Sequence, residues 1–335
     1  MDGFNGIYKN KTVLVTGHTG FKGSWLSIWL RELGANVVGF SLDPKTEKDN
    51  FVVTGLSNKM IDIRGDIRNT KKLNLVFEKY QPEFVFHLAA QPLVRHSYKF
   101  PVETYEINVQ GTINVLEAIR KTPSVKVGIF VTTDKVYQNQ EKTEGYVETD
   151  PLGGYDPYSS SKASAEIVIQ SWRDSYFNPN NYEAHHKSIA SVRAGNVIGG
   201  GDWSEDRLVP DIMRSIINNQ PLIIRNPKSV RPWQHVLDPL NGYLLLGSKM
   251  YQQPKAYCEA WNFGPLDQDA KSVEWIVNRL SELLSNQLRW SLDESSNPHE
   301  AHYLKLDISK ANHHLGWSPV WDLDTALGKI VDWHQ

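Results

Sequence analysis

Short apolar runs alternate with segments of helical spacing through the first 200 residues, and that alternation leaves few folds open. "TVLVTG" (12–17), "NVVGFSL" (36–42), "FVFHLAA" (84–90), "VGIFVTT" (127–133) and "SIASVRAGNVIG" (188–199) read as buried strands rich in Val and Ile. Between them "FKGSWLSIWLREL" (21–33), "TKKLNLVFEKY" (70–80), "VETYEINVQGTINVLEAIRK" (102–121) and "SSSKASAEIVIQSWRDSYF" (159–177) carry helical periodicity. Strands that alternate with helices predict an α/β fold built on a doubly wound parallel sheet with right-handed crossovers.

After about residue 200 the pattern changes. "GGGDWSEDR" (199–207) reads as a loop, "LVPDIMRSIINNQ" (208–220) as a helix, and "PLIIRNPKSVRPW" (221–233) as an extended, turn-rich stretch. "SVEWIVNRLSELLSN" (272–286) is a further amphipathic helix. The expectation is a smaller C-terminal α/β region built onto the sheet, without a flexible linker.

Composition narrows the function classes. A net charge of -2, with no run of five like charges, gives no electrostatic footprint for nucleic acid or an acidic membrane. Cys258 is the only cysteine, so an intrachain disulfide and a cysteine-rich zinc site are both excluded. The histidine pairs at 185–186 and 313–314 lack the carboxylate context of a metal centre, so no metal is expected. The N-terminal stretch has no apolar core of signal-peptide length, and no segment reaches the ~18 apolar residues of a membrane span. A cytoplasmic protein is expected.

The strand "TVLVTG" runs directly into "GHTGFKG", with Gly17, Gly20 and Gly23 three residues apart. Glycines there allow a tight turn and let backbone N–H groups meet a pyrophosphate at a helix N-terminus. Between the first strand and the first helix, this turn predicts dinucleotide binding on a Rossmann-type sheet. The acid expected on the adenosine ribose is displaced: Ser41 stands in its place and Asp43 follows two residues later. With no arginine adjacent in sequence, Asp43 favours NAD over NADP, although Lys45 weighs the other way. Taken by itself, Asp66 reads as a cap on the next helix.

"YDPYSSSKASAE" (155–166) puts Tyr158 and Lys162 four residues apart, on one face of a helix. A neighbouring ammonium stabilises a phenolate, so the pair predicts a lowered tyrosine pKa and a candidate base. Thr133 ends the preceding strand as a hydrogen-bond donor. "TTDKVY" (132–137) then sets Asp134 beside Lys135, which reads either as an ion pair or as an acid and a base of one site.

The G-x-x-G-x-x-G spacing and the Tyr–Lys pair resemble the short-chain dehydrogenase/reductase superfamily. "HLAA" (87–90), "NVQGTINVLEA" (108–118), "RAGNVIGGGDW" (193–203), "RPWQHVLD" (231–238), "WNFGP" (261–265) and "LDISKANHHLGWSP" (306–319) are similar to its extended, nucleotide-sugar branch, so the likeness covers almost the whole chain. Within that branch, "TTDKVY" and "HLAAQPLVRHSY" (87–98) most resemble the 4,6-dehydratases of CDP-D-glucose; the dTDP-glucose enzymes carry glutamate where Lys135 stands.

The resemblance implies NAD as cofactor, with Gly17, Gly20, Phe21, Lys22, Gly23, Asp43, Asp66, Ile67, Leu88, Ala89, Ala90, Asn108, Tyr158 and Lys162 around it. It implies CDP-D-glucose as substrate, bound by Gln91, Arg95, Arg193, Asn196, Arg207 and Arg231. It also implies a homodimer, or a tetramer, packed through the helices around 102–121 and 159–177, and a place early in the making of surface-polysaccharide deoxysugars. Residues 1–190 are expected to hold NAD, with some later segments returning to them, and 191–335 mainly the nucleotide sugar. In the implied chemistry Tyr158 acts at the 4-hydroxyl, Lys135 removes the C5 proton and Asp134 protonates the C6 oxygen. Moving a proton from lysine to aspartate spans roughly 9 kcal/mol in water, so Lys135 needs nearby cations, such as Lys162 and oxidised nicotinamide, to lose its own. A nucleotide-sugar 4-epimerase, a dehydratase for another nucleotide, and a non-catalytic NAD-binding scaffold are the alternatives.

Overall fold

The computed structural model describes residues 3–142, 144–285, 288–293 and 304–335. Seven strands form one parallel sheet. Six of them are β1 (Thr12–Thr16), β2 (Asn36–Ser41), β3 (Ile61–Arg64), β4 (Phe84–His87), β5 (Val127–Val131) and β6 (Ser188–Arg193). The sheet order is Ala260–Asn262, β6, β5, β4, β1, β2, β3, so the winding reverses between β1 and β4. Ligands of open α/β sheets bind at the carboxyl ends of the strands beside such a reversal.

Period-two alternation sends side chains to two cores. Val13, Val15, Phe84, Phe86, Val127 and Ile129 pack on one face with Leu26 and Leu30 of the helix Phe21–Glu32. Leu14, Val38, Phe40, Val85 and Phe130 pack on the other with Leu73, Leu116, Ile119 and Ile169. A third core, containing Ile212, Met213, Leu222, Ile224, Ile276, Leu280 and Leu327, belongs to the C-terminal region. There Leu222–Ile224 pairs with Trp290–Leu292, and Val230–Pro232 pairs with Ala270–Ser272.

The expected helices form, with differences at their ends. The segment 102–121 is helical but interrupted: Pro101–Tyr105 and Gly111–Lys121 flank a π-helical turn, Glu106–Gln110. The helix expected at 272–286 runs Val273–Leu283, and residue 286 lies outside the described residues.

Among the described residues several elements escape the sequence pattern, four of them parts of the sheet or its cores. β3 and Ala260–Asn262 are edge strands of four and three residues, too short to show a period. The helix Leu237–Gln252 lies against the first core through Leu240, Tyr243, Leu244, Leu246 and Met250, so its apolar residues surround it and no amphipathic stripe appears. Leu323–His334 closes the chain on the third core.

Candidate active site

A cleft of about 1530 Å³ opens at the carboxyl ends of the strands, between the sheet and the C-terminal region. Of the residues expected in the site, Asn108 and Arg193 stand outside its lining; the others line it.

At the glycine turn two glycines answer to the protein's own packing. Gly17 has φ +77°, and a Cβ there would come 2.7 Å from the Ala89 nitrogen. A Cβ on Gly23 would overlap the carbonyl oxygen of Gly17. Gly20 is different, since its Cβ would meet that oxygen at 3.4 Å, an ordinary contact. Gly20 begins the helix Phe21–Glu32 without a side-chain cap, so the first N–H groups stay open to an anion. Thr16 Oγ1 lies 2.7 Å from His87 Nδ1 and accepts from the amides of Leu88 and Ala89, which ties Leu88–Ala90 across the reversal point. Burial and the charge of Lys162 push the His87 imidazole down to about 3, so it stays neutral. This cradle fits a dinucleotide.

At the adenosine end Ser41 is buried and shares a 2.8 Å hydrogen bond with Thr19. Asp43 is 86% exposed, and Arg64 reaches to 3.8 Å from it. Sequence adjacency therefore misleads at this point, because β3 brings an arginine beside Asp43 that the linear chain keeps 21 positions away. Asp62 engages that guanidinium at 2.8 Å. Asp66 does not cap the next helix; Asn69 does, and Asp66 instead receives the guanidinium and amide of Arg68. Ile67 is buried against Gly111.

Asn108 supports the site from behind. The π-turn points it inward, where its amide exchanges two hydrogen bonds with the Gln91 backbone and donates to Ser161. Gln91 spends its own amide on Leu93 and Thr104. Both were expected to touch ligands, and both brace the loop after β4 because their polar atoms are already paired.

The strand β5 ends at Val131, and Asp134–Val136 forms a 3-10 turn. The turn breaks the alternation that would have sent neighbouring side chains to opposite faces. Asp134 is buried and accepts a 2.9 Å hydrogen bond from Thr133 Oγ1, whereas Lys135 is exposed at the cleft wall. Among the described residues no ion pair joins them. A Cβ on Gly195 would overlap the Asp134 carboxylate.

Tyr158 and Lys162 lie on the helix Pro157–Ser175, which begins at Asp156 with Pro157 in its first turn. Lys162 donates to the carbonyl of Val131 at 3.1 Å. Burial lowers its ammonium to about 8, against the pull of Glu166. The expected lowering of Tyr158 fails. Burial raises the phenol to about 12, while the Thr133 hydrogen bond and Arg207 pull it down and Asp134 adds to the rise. Four residues of spacing puts two groups on one face, but here desolvation outweighs what the neighbours supply.

Arg193 is a correction. It is buried beneath the cleft in an ion pair with Glu166 at 2.9 Å, and it also donates to Tyr137 Oη and Glu148 O. The substrate end keeps Arg95, paired with Asp206 at 3.1 Å, and Arg207, paired with Asp202 at 3.0 Å. Arg231 lines the cleft there, and so does Asn196, at φ +50°. Lys22 turns out to face this side: burial and the charge of Arg207 bring it down to about 7, with Asp134 and Asp202 opposing. His235 is a core residue packed on Trp321 at 4.7 Å. Sequence reading missed Gly195, Glu166 and Asp156. Asp156 alone left a signal, since Asp-Pro before a helical run marks an N-cap.

Fold and cleft together define an extended short-chain dehydrogenase/reductase with a dinucleotide turn, a Tyr–Lys helix and a nucleotide-sugar region. The chain belongs to the GDP-mannose 4,6 dehydratase family, whose model matches residues 14–330. It is 54% identical over 329 residues to the CDP-glucose 4,6-dehydratase of Salmonella typhimurium, covering 98% of this chain and 92% of that one. It is 27% identical to the CDP-paratose 2-epimerase of Salmonella typhi, covering 96% and 98%. The fold matches an epimerase from Methanothermobacter thermautotrophicus with TM-score 0.83 at 25% identity, over 99% of this chain and 94% of that one. It also matches the dTDP-glucose 4,6-dehydratase of Bacillus anthracis, solved with NAD, with TM-score 0.79 at 23% identity, over 97% and 96%. Among the described residues no helix is long and apolar enough to cross a membrane.

Proposed function

We propose that the chain converts CDP-D-glucose to CDP-4-keto-6-deoxy-D-glucose with NAD held in the cleft. The observation that carries this reading is the Asp134–Val136 turn, which adds a carboxyl and an amine to the cleft wall beside Tyr158. Hydride transfer alone needs neither group. Dehydration needs both, one to take the C5 proton and one to protonate a poor leaving group. The 54% identity to a CDP-glucose enzyme supports the nucleotide and the reaction.

In this reading the open amides after Gly20 hold the cofactor pyrophosphate, and Lys162 holds the ribose next to the nicotinamide. A nicotinamide bound there would supply the acceptor for the C4 hydride and the donor for C6. Tyr158 receives the proton of the 4-hydroxyl, with Thr133 donating to the same oxygen. The new ketone acidifies C5, Lys135 removes that hydrogen, and Asp134 delivers a proton to the C6 oxygen. Arg207, Arg231 and Arg95 hold the diphosphate, with Asn196 at its edge. Residues 1–190, with the returning segments 237–262, carry the cofactor, and the rest mainly the nucleotide sugar. We further propose a cytoplasmic homodimer; exposed Val102, Tyr105 and Ile167 on the two long helices support that contact.

A keto-sugar assay across CDP-, dTDP-, UDP- and GDP-hexoses tests the reading. Ketone from CDP-glucose is the expected result. A C4-epimerised sugar with no ketone would establish the epimerase instead, and no turnover on any of them would leave a scaffold.

A further inference from the structure

Arg64 ends β3, and the pairing of β3 with β2 sets it level with Ser41, just before Leu42 and Asp43. Three contacts hold its guanidinium. Nη2 donates to Asp62 Oδ2 at 2.8 Å, Nη1 donates to the Leu42 carbonyl at 3.3 Å, and Cζ lies 4.9 Å from the centroid of the buried Phe51 ring. Asp62 is itself fixed, since its other oxygen lies 2.8 Å from Nε2 of the fully buried His18. Nε is the nitrogen nearest Asp43, at 3.8 Å, and among the described residues its N–H makes no hydrogen bond. An arginine anchored in this way has given up its freedom before any ligand arrives, and one edge of its fork is left for an anion.

Asp43 stands at that edge. Its side chain is 86% exposed and lines the adenosine end of the cleft with Lys45, whereas Arg64 does not line the cleft. Ser41 is no rival ligand, because its hydroxyl is paired with Thr19, whose own hydroxyl donates to the Leu42 carbonyl. At the adenosine ribose of a Rossmann site a carboxylate accepts from the 2′-hydroxyl, and an arginine accommodates a 2′-phosphate. This chain has both groups in one place, with the carboxylate in front. A phosphate monoester carries about −1.5 to −2 charges at pH 7, so it would meet the like charge of Asp43 before reaching the arginine.

We propose that Arg64 is a preformed ligand for a 2′-phosphate, masked by Asp43, so that one exposed carboxylate makes this cleft select NAD over NADP. With that charge removed, the Nε edge of Arg64 takes the phosphate of a 2′-phosphorylated adenosine. The inference concerns the cofactor end alone and does not depend on which sugar the cleft takes.

Quenching of tryptophan fluorescence by NAD and by NADP tests it in the intact chain. Wild-type protein should bind NAD more tightly. Asp43→Ser, at an exposed position, should tighten NADP roughly 10–100-fold, the worth of a charge-assisted hydrogen bond, and weaken NAD. The same variant should gain as much for 2′,5′-ADP over 5′-AMP, two probes that differ only in the 2′-phosphate. Arg64→Met added to Asp43→Ser should remove both gains. Arg64→Gln, which keeps an amide donor for the Leu42 carbonyl, replaces the methionine variant if that one does not fold, and should remove them too. Lys45→Met added to Asp43→Ser should keep most of the gain. An Asp43→Ser protein that still rejects NADP would overturn the proposal, and so would a gain that survives the loss of Arg64 or vanishes with Lys45. Wild-type protein that bound NADP as tightly as NAD would overturn the masking by Asp43.

Discussion

The Cα of Gly195 lies flush against the carboxylate of Asp134, leaving no room for a methyl group between them. The glycine thus fixes where the proposed acid sits without meeting substrate itself. Gly195→Ala should push Asp134 off the C6 oxygen and cost roughly 10²–10⁴-fold in ketone formation. Cofactor binding, followed by fluorescence, should stay within about twofold, because the dinucleotide turn is built elsewhere. A variant with full activity would show that Asp134 does not need this seat.

The two outer glycines and the middle one of the dinucleotide turn should fail in different ways. Gly23→Ala forces a methyl onto the Gly17 carbonyl, so it should destabilise the fold by about 1–3 kcal/mol in urea unfolding. Gly20→Ala meets only an ordinary contact and should fold normally, yet lose NAD affinity where the pyrophosphate approaches. Equal stability losses in the two variants would contradict the assignment.

Lys135→Met should abolish solvent-deuterium incorporation at C5 while NAD still binds. Undiminished incorporation would remove Lys135 from the mechanism.

Lys162 is held at about 8, below its ordinary 10.5, by burial. Its folded pKa lies under its unfolded one, so the charged form opposes folding. The penalty, about 3 kcal/mol, is full below pH 8 and disappears as the pH rises through 10.5. Lys162→Met should therefore raise stability at pH 7, by up to that amount less the lost Val131 hydrogen bond, while abolishing turnover. Unfolding curves at pH 7 and pH 10.5 check it: the gain must shrink at the higher pH.

Arg193 and Glu166 pair at 2.9 Å with both side chains buried. Burial raises the Glu166 carboxyl, but Arg193, Thr132 and Ser191 outweigh it and hold the group below its usual range. Arg193→Met leaves that charge alone and should cost about 3–5 kcal/mol in stability. A folded variant with only a raised KM would return Arg193 to the substrate site.

Much of this architecture was legible where a local rule governs. Alternation gave away five strands of the sheet, and the helix Thr70–Tyr80 falls where its spacing predicts. The candidate site was legible where residues share one element, as Tyr158 and Lys162 do. It was illegible where distant segments meet. Arg64 reaches Asp43 only because β2 and β3 pair, and Gly195 touches Asp134 only because β6 runs beside β5. The resemblance carried Arg193 to the substrate because it transfers a position without its burial. Spacing predicted a lowered Tyr158 because it cannot count the desolvation that raises it.

The helix Leu237–Gln252 and the strand Ala260–Asn262 complete a sheet whose first strand begins at Thr12. On the ribosome that sheet therefore stays open at one edge, with the Val13–Phe86–Ile129 face covered only in part, by the helix Phe21–Glu32, until some 260 residues have been made. At about 5–20 residues per second this is an exposure of tens of seconds. The nascent chain should therefore need holding factors while that edge is open, and truncation before residue 262 should yield a sticky fragment in place of a smaller cofactor-binding protein.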